Sequence, residues 1–199
     1  MKLPPFSLRK LRRSISRHAN ILGQDKRGNA AVEFAVLAPL FIFIMAVSFD
    51  MGSLIFARFQ LEAAISNSAS YALVHADQVD GLNDSLLVKS IALMIAGQYP
   101  SVGASASIAI NDGVQANFDG ATIRIDGTPA STGACYCPSG SAASFVWGSQ
   151  QTCSSSCPDG ANAGKYVVIS AKQAYAPLFS GYNIVNDGYI YASTVVQLK

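Results

Sequence analysis

The chain has little charge, almost no histidine and no catalytic signature. Only 13% of its 199 residues are Asp, Glu, Lys or Arg, whereas an ordinary soluble domain carries about 25%. That composition fits a cytosolic enzyme poorly. No G-x-S-x-G elbow, P-loop or G-x-G-x-x-G turn occurs anywhere in it. The two histidines are His18 and His75, and neither has a Cys or carboxylate constellation around it. The Asp residues after position 76 mostly stand beside Gly or Asn, where turns favour Asp for backbone reasons. The D-x-[DN]-x-[DN]-G series of a calcium loop is missing as well. The expectation is a non-enzymatic chain with no catalytic residue, no metal site and no cofactor. Disorder is excluded for most of the chain, because half the residues are hydrophobic and disordered chains are poor in them.

The formal net charge of +2 conceals a strong asymmetry. Residues 1–28 hold eight of the fourteen basic residues and a single acid, Asp25, for a net of +7. Residues 29–199 net −5. A nucleic-acid binder carries its positive charge on the folded body, so no nucleic-acid partner is expected. A basic arm followed by an apolar run is the charge layout of a membrane-targeted protein.

The apolar run is FAVLAPLFIFIMAVSF, sixteen uncharged residues at 34–49. With Glu33 and Asp50 admitted as interior or boundary charges, low polarity extends over 29–57. A helix needs about 20 residues to cross the hydrocarbon core. The alternative, a buried core helix of a soluble protein, does not explain the basic flank. A cleavable secretory signal fits badly too, since no A-x-A-like site closes the run. Arg12-Arg13 lies too far upstream of it to act as a twin-arginine signal. The positive-inside rule keeps the arm in the cytoplasm and sends the carboxy-terminal body across. Within the run, Pro39 lacks the N–H that would bond Ala35 and should loosen the helix there. Glu33 needs a partner or an interfacial position, because an acid at the centre of a membrane helix costs roughly 2.5–3.5 kcal/mol on insertion scales.

Helical spacing continues beyond Asp50, with Leu54, Phe56, Phe59, Leu61, Ala64, Ile65, Tyr71 and Leu73 in register. One helix over about 29–75 is expected, roughly 70 Å long at 1.5 Å per residue. The acidic, turn-rich stretch 76–84 follows. Asn83 or Asp84 then caps a second helix over about 85–98 with a stripe of Leu86, Leu87, Ile91, Met94 and Ile95. Pro100-Ser101 and Gly103 end it. Strand character appears at 106–110, 114–118, 121–125, 166–174 and 189–198, and Asp-Gly steps mark the hairpins. The expected fold class is α+β, with four or five antiparallel strands packed on the helix.

Four cysteines form Cys135-x-Cys137 and Cys153-x-x-x-Cys157 around a Gly/Ser-rich loop. The spacing is not that of paired C-x-x-C zinc knuckles, and the expected compartment is oxidising, so two disulfides are favoured over a metal. A bond within C-x-C would close a strained small ring. Of the pairings between clusters, the nested one, Cys135–Cys157 with Cys137–Cys153, is slightly preferred. Tyr136, Phe145 and Trp147 read as a small satellite core beside the loop rather than an exposed contact surface.

The run Lys26-Arg27-Gly28-Asn29-Ala30-Ala31-Val32-Glu33-Phe34 resembles the processing site of type IV prepilins and pseudopilins. That site is a basic leader ending in Gly, then an apolar helix with Glu at its fifth position. Residues 26–75 as a whole resemble the TadE/TadG-like family of the Tad (tight adherence) pilus system. Asp50 with Gly52 at the end of the apolar run is part of that likeness. The resemblance implies a minor pseudopilin, cleaved between Gly28 and Asn29 by a prepilin peptidase. It also implies that Glu33 neutralises the terminal amine of a neighbouring subunit during assembly, and two buried opposite charges are tolerable only together. The implied partners are the inner membrane, the peptidase, other Tad pilins and pseudopilins, and the assembly platform. The implied organisation is a cytoplasmic leader at 1–28, a transmembrane helix at 29–52 and a periplasmic α+β domain at 53–199 carrying the Cys-rich loop 135–157. The implied place is the bacterial inner membrane, single-pass, or an extracellular pilus. A signal-anchored envelope protein with a periplasmic binding domain is the competing reading.

Overall fold

A computed structural model describes residues 28–79, 83–98, 103–131, 133–178 and 185–198. The leader with Arg12-Arg13 and His18 lies outside the described residues, as do the turn around Asp80 and the expected stop at Pro100-Ser101. The chain forms two compact units, and the second begins at Asp50.

The first unit contains the opening of helix α1, which as a whole spans Asn29–Val74. Ala, Phe and Leu are its commonest apolar residues and no glycine interrupts it before Gly52. It continues through Pro39, whose missing donor removes one intrahelical bond without ending the helix. Val32, Phe34, Leu40, Phe41, Ile42 and Phe49 are all exposed. A helix that is apolar all round belongs in a membrane or a large core, and no part of this stretch is buried within the protein. The Ser48 hydroxyl donates to the Ile44 carbonyl at 2.8 Å, so that polar group is satisfied inside the helix.

The second unit joins the rest of α1 to helix α2 (Asp84–Gln98) and to seven strands: β1 (Ala104–Ile110), β2 (Gln115–Phe118), β3 (Ile123–Asp126), β4 (Ala134–Tyr136), β5 (Gln150–Thr152), β6 (Tyr166–Ala174) and β7 (Tyr189–Gln197). Five of them form one sheet in the order β3-β2-β1-β6-β7, antiparallel throughout. The α+β expectation holds, and the five strands read from the sequence are these five within a few residues.

Alternation decides which face of the sheet is covered. Ala106, Ile108 and Ile110 of β1, Ala116 of β2, and Val167, Ile169 and Ala171 of β6 are buried against the helices. From α1 the stripe Leu61, Ala64, Ile65, Ala72 enters the same core, and from α2 the stripe Leu87, Val88, Ile91, Ala92, Ile95. The spacing of three and four residues puts each set on one helix face. The expected α2 stripe is therefore rotated slightly: Leu86 is exposed and Val88 and Ala92 are buried. The sheet side of α2 needs a contiguous stripe, and Leu86 lies beyond its edge.

β4 and β5 make a separate two-stranded ribbon inside the Cys-rich segment, which reads as a loop in the sequence. It is tied to the main sheet by the buried Asn111, whose amide donates to the Ala134 carbonyl at 2.7 Å. Asn111 and Asp112 both have positive φ, 50° and 55°, the conformation that a two-residue hairpin turn requires and that Asn and Asp tolerate best.

Candidate functional site

At its amino-terminal end, α1 begins at Asn29, directly after Gly28. Gly28 is exposed, and a methyl group added to it would meet no atom within 4 Å. Glu33 follows Asn29 by four residues, about one helical turn along α1. Ala30, Ala31 and Ala35 are exposed along the same turns, the small-residue pattern that lets membrane helices approach closely. Gly28 thus immediately precedes the helix whose second turn carries Glu33.

Twenty residues on, at the start of the second unit, Asp50 is only 4% exposed. Its carboxylate accepts the Tyr175 hydroxyl at 3.0 Å and the Leu178 amide N–H at 3.2 Å, both through Oδ1. Its backbone carbonyl lies 2.9 Å from the same Tyr175 hydroxyl and 2.8 Å from the Ser53 hydroxyl. The two hydroxyls are themselves 2.6 Å apart. Each hydroxyl has one proton to give, so the pair shares two protons among Asp50 Oδ1, the Asp50 carbonyl and one another. Burial raises the Tyr175 phenol above its ordinary pKa; the Asp50 carboxylate adds to this, while the bond from Ser53 opposes it. The phenol therefore stays protonated and available as a donor at neutral pH. β6 runs antiparallel to its neighbours and delivers Tyr175, just past its end, to α1. This knot ties the β6–β7 connection to the helix. Sequence reading singled out Asp50 through the family likeness but assigned it no partner, since its partners lie more than 120 residues away.

In the Cys-rich segment all four cysteines are paired, as Cys135–Cys153 and Cys137–Cys157. Two disulfides are present as expected, but the nested pairing is wrong. The physical reason is the β4–β5 register, which sets Cys135 opposite Gln151 and brings Cys153 alongside, Cα–Cα 4.9 Å. The chain then reverses at Ser154, φ 67°, and pairs back at Ser156–Asn162, which returns Cys157 to Cys137. The satellite-core reading of the aromatics agrees with the packing. Trp147 packs edge-on against Tyr136 and Phe145, with ring centroids 5.7 and 4.8 Å apart, and Tyr136 is buried.

On the sheet face away from the helices, one row of paired residues is Arg124, Asn117, Ser107, Ser170 and Ser193. A groove of about 830 Å³ is lined by residues of this row together with Arg58 and Glu62 of α1, Ala143 of the Cys-rich segment and Tyr191. Arg124 and Asp119 in its wall are 3.9 Å apart and exposed. No cluster of three or more His, Cys, Asp or Glu residues able to hold a metal occurs among the described residues. His75 is held locally, its Nδ1 2.9 Å from the Tyr71 carbonyl and its ring against Tyr71.

Residues 28–70 match the family of TadE-like proteins. The match starts at the glycine before α1 and runs through Asp50 to the last turns of that helix, in agreement with the likeness read from residues 26–75. It covers about a fifth of the chain and none of the sheet. The TadE-like segment links the chain to the Tad pilus system, and its long apolar helix fits a single-pass membrane protein. No match was found among curated proteins or solved structures.

Proposed function

We propose that this TadE-like protein is a minor pseudopilin of the Tad pilus, cleaved between Gly28 and Asn29 by a prepilin peptidase and acting without catalysis of its own. The observation that carries this reading is the position of Gly28–Asn29 at the first residue of a 46-residue helix, after a leader with a net charge of +7. Cleavage there frees an amine one helical turn from Glu33. In a bundle of such helices the carboxylate of one subunit neutralises the amine of the next, which removes the cost of burying either alone. The basic leader orients the chain with its amino terminus in the cytoplasm and the sheet domain in the periplasm. There the two disulfides form, and the domain presents its surface to other pilins, pseudopilins and the assembly platform.

The test is the intact mass of the membrane-expressed protein, with and without a cognate prepilin peptidase. A start at Asn29 that requires the peptidase and is lost on changing Gly28 supports the proposal. Gly28→Ala is a clean variant, because the added methyl group meets nothing. A chain that still begins at Met1, beside a control substrate that is cut, refutes processing and leaves the signal-anchored envelope protein.

A further inference from the structure

We infer that the turn after β6, centred on Pro177 and Leu178, inserts into the outer interface of the bilayer that holds α1, giving the periplasmic domain a second contact with lipid. The inference rests on the membrane reading of α1 made above.

The uncharged run ends at Phe49 and Asp50 follows it directly. The twenty residues 30–49 rise about 30 Å as a helix, which is one hydrocarbon thickness. Asp50 therefore sits at the outer boundary of the core. Leu178 is bound to that residue, its N–H on Asp50 Oδ1 at 3.2 Å. Whatever depth Asp50 takes, the backbone of Leu178 takes within a few ångströms.

Among the described residues, apolar side chains are exposed at that level. Leu178 is 74% exposed and follows Pro177, a residue with no N–H to desolvate. Tyr175 beside it turns its hydroxyl inward to Asp50 and Ser53, so its polar end is already satisfied. Past Asp50, α1 exposes Met51, Ile55 and Phe56 before its first exposed charge, Arg58. Water is the costly neighbour for this set, and the interfacial layer is the neighbour that the adjacent span supplies. The Asp50 knot then has a second effect: it gives this buried carboxylate donors from the protein, so the acid does not hold the turn out in the headgroups.

The experiment uses the full chain in phosphatidylcholine vesicles, with a fluorophore sensitive to polarity on a single introduced cysteine. The positions are Leu178→Cys, Ile42→Cys within the span, and Val146→Cys, an exposed apolar position in the Cys-rich segment. Mass analysis verifies that both native disulfides persist. The expected result is blue-shifted emission at 178 relative to 146, quenching by a lipid nitroxide near the headgroup, and several-fold weaker quenching by aqueous iodide. Emission and iodide quenching at 178 equal to those at 146, with position 42 shielded, overturn the inference and leave the span intact. Iodide access at position 42 overturns the membrane reading and the inference with it. Leu178→Trp, read by quenching with brominated lipid against the wild-type chain, repeats the measurement without an added thiol.

Discussion

Removing the Asp50 carboxylate should release the β6–β7 connection from the helix while leaving the core folded. In Asp50→Ala two donors lose an acceptor, the Tyr175 hydroxyl at 3.0 Å and the Leu178 N–H at 3.2 Å. Hydrogen bonds to a charged group contribute about 1.5–3 kcal/mol each. Two corrections lower the sum. The Leu178 bond is at the long end of the normal range, and Tyr175 keeps the Asp50 carbonyl at 2.9 Å and Ser53 at 2.6 Å. The net local loss is then about 2 kcal/mol, which corresponds to roughly 30-fold in an opening equilibrium. Amide exchange of the detergent-solubilised full chain, read by mass spectrometry on the peptide carrying residues 175–178, measures that opening directly. Asp50→Asn keeps a neutral acceptor, and neutral bonds are about half as strong as charge-assisted ones, so its effect should fall between alanine and wild type. Tyr175→Phe leaves the Leu178 bond in place and should also be milder than alanine. Exchange around Ile108, fully buried at the centre of the sheet, should not change in any of the three. If residues 175–178 exchange in Asp50→Ala as they do in wild type, the knot does not hold this segment.

Two further outcomes follow from the same geometry. Non-reducing chymotryptic digestion of the denatured chain separates Cys135 from Cys137 at Tyr136 but leaves Cys153 and Cys157 on one peptide; fragmenting the linked species in the mass spectrometer between those two cysteines should join Cys135 to Cys153 and Cys137 to Cys157, and a Cys135–Cys157 linkage would contradict the β4–β5 register. Each bridge closes a loop of 18 or 20 residues, worth at most about 3 kcal/mol by chain entropy, and deleting one should cost less because the other still closes an overlapping loop. At the β2–β3 turn, the Asp119 carboxylate accepts the backbone N–H groups of Thr122 and Ala121 and the Thr122 hydroxyl, with Arg124 beside it, and its pKa is lowered to about 2. Because the folded value lies below the unfolded one, this contribution to stability is complete above the ordinary carboxylate range and disappears as pH falls through about 2. Carboxyl-carbon NMR should place the midpoint there, and Thr122→Ala should leave most of the depression, since backbone donors cause the larger part. A midpoint near 3.8, the ordinary value for an Asp carboxyl, would refute the turn geometry.

Much of this protein is local in origin, and local features are legible in a sequence. The 46-residue helix follows from a long apolar run and the helical spacing that continues beyond it, and it persists through Pro39. The boundaries of five strands follow from β-branched and aromatic runs closed by Asn-Asp-Gly and Asp-Gly turns. The glycine, the helix start and Glu33 lie within six residues of one another, so their relation needs only helical periodicity. Three matters required the tertiary structure. Strand order depends on β6, which begins more than fifty residues after β1 ends and still pairs along the whole length of β1; no local pattern encodes that choice. Disulfide pairing depends on the register of two three-residue strands that are too short and too polar to signal themselves, so the symmetric nested guess failed. Asp50 finds Tyr175 and Leu178 only because the sheet packs on α1 through Leu61, Ile65 and Ala72 and brings the end of β6 back to the helix. The sequence by itself determined the elements and the membrane-directed amino terminus, because both arise from contacts a few residues apart. The folded chain decided how a distant turn is tied to the residue where the apolar run ends, because that contact exists only after the core has formed.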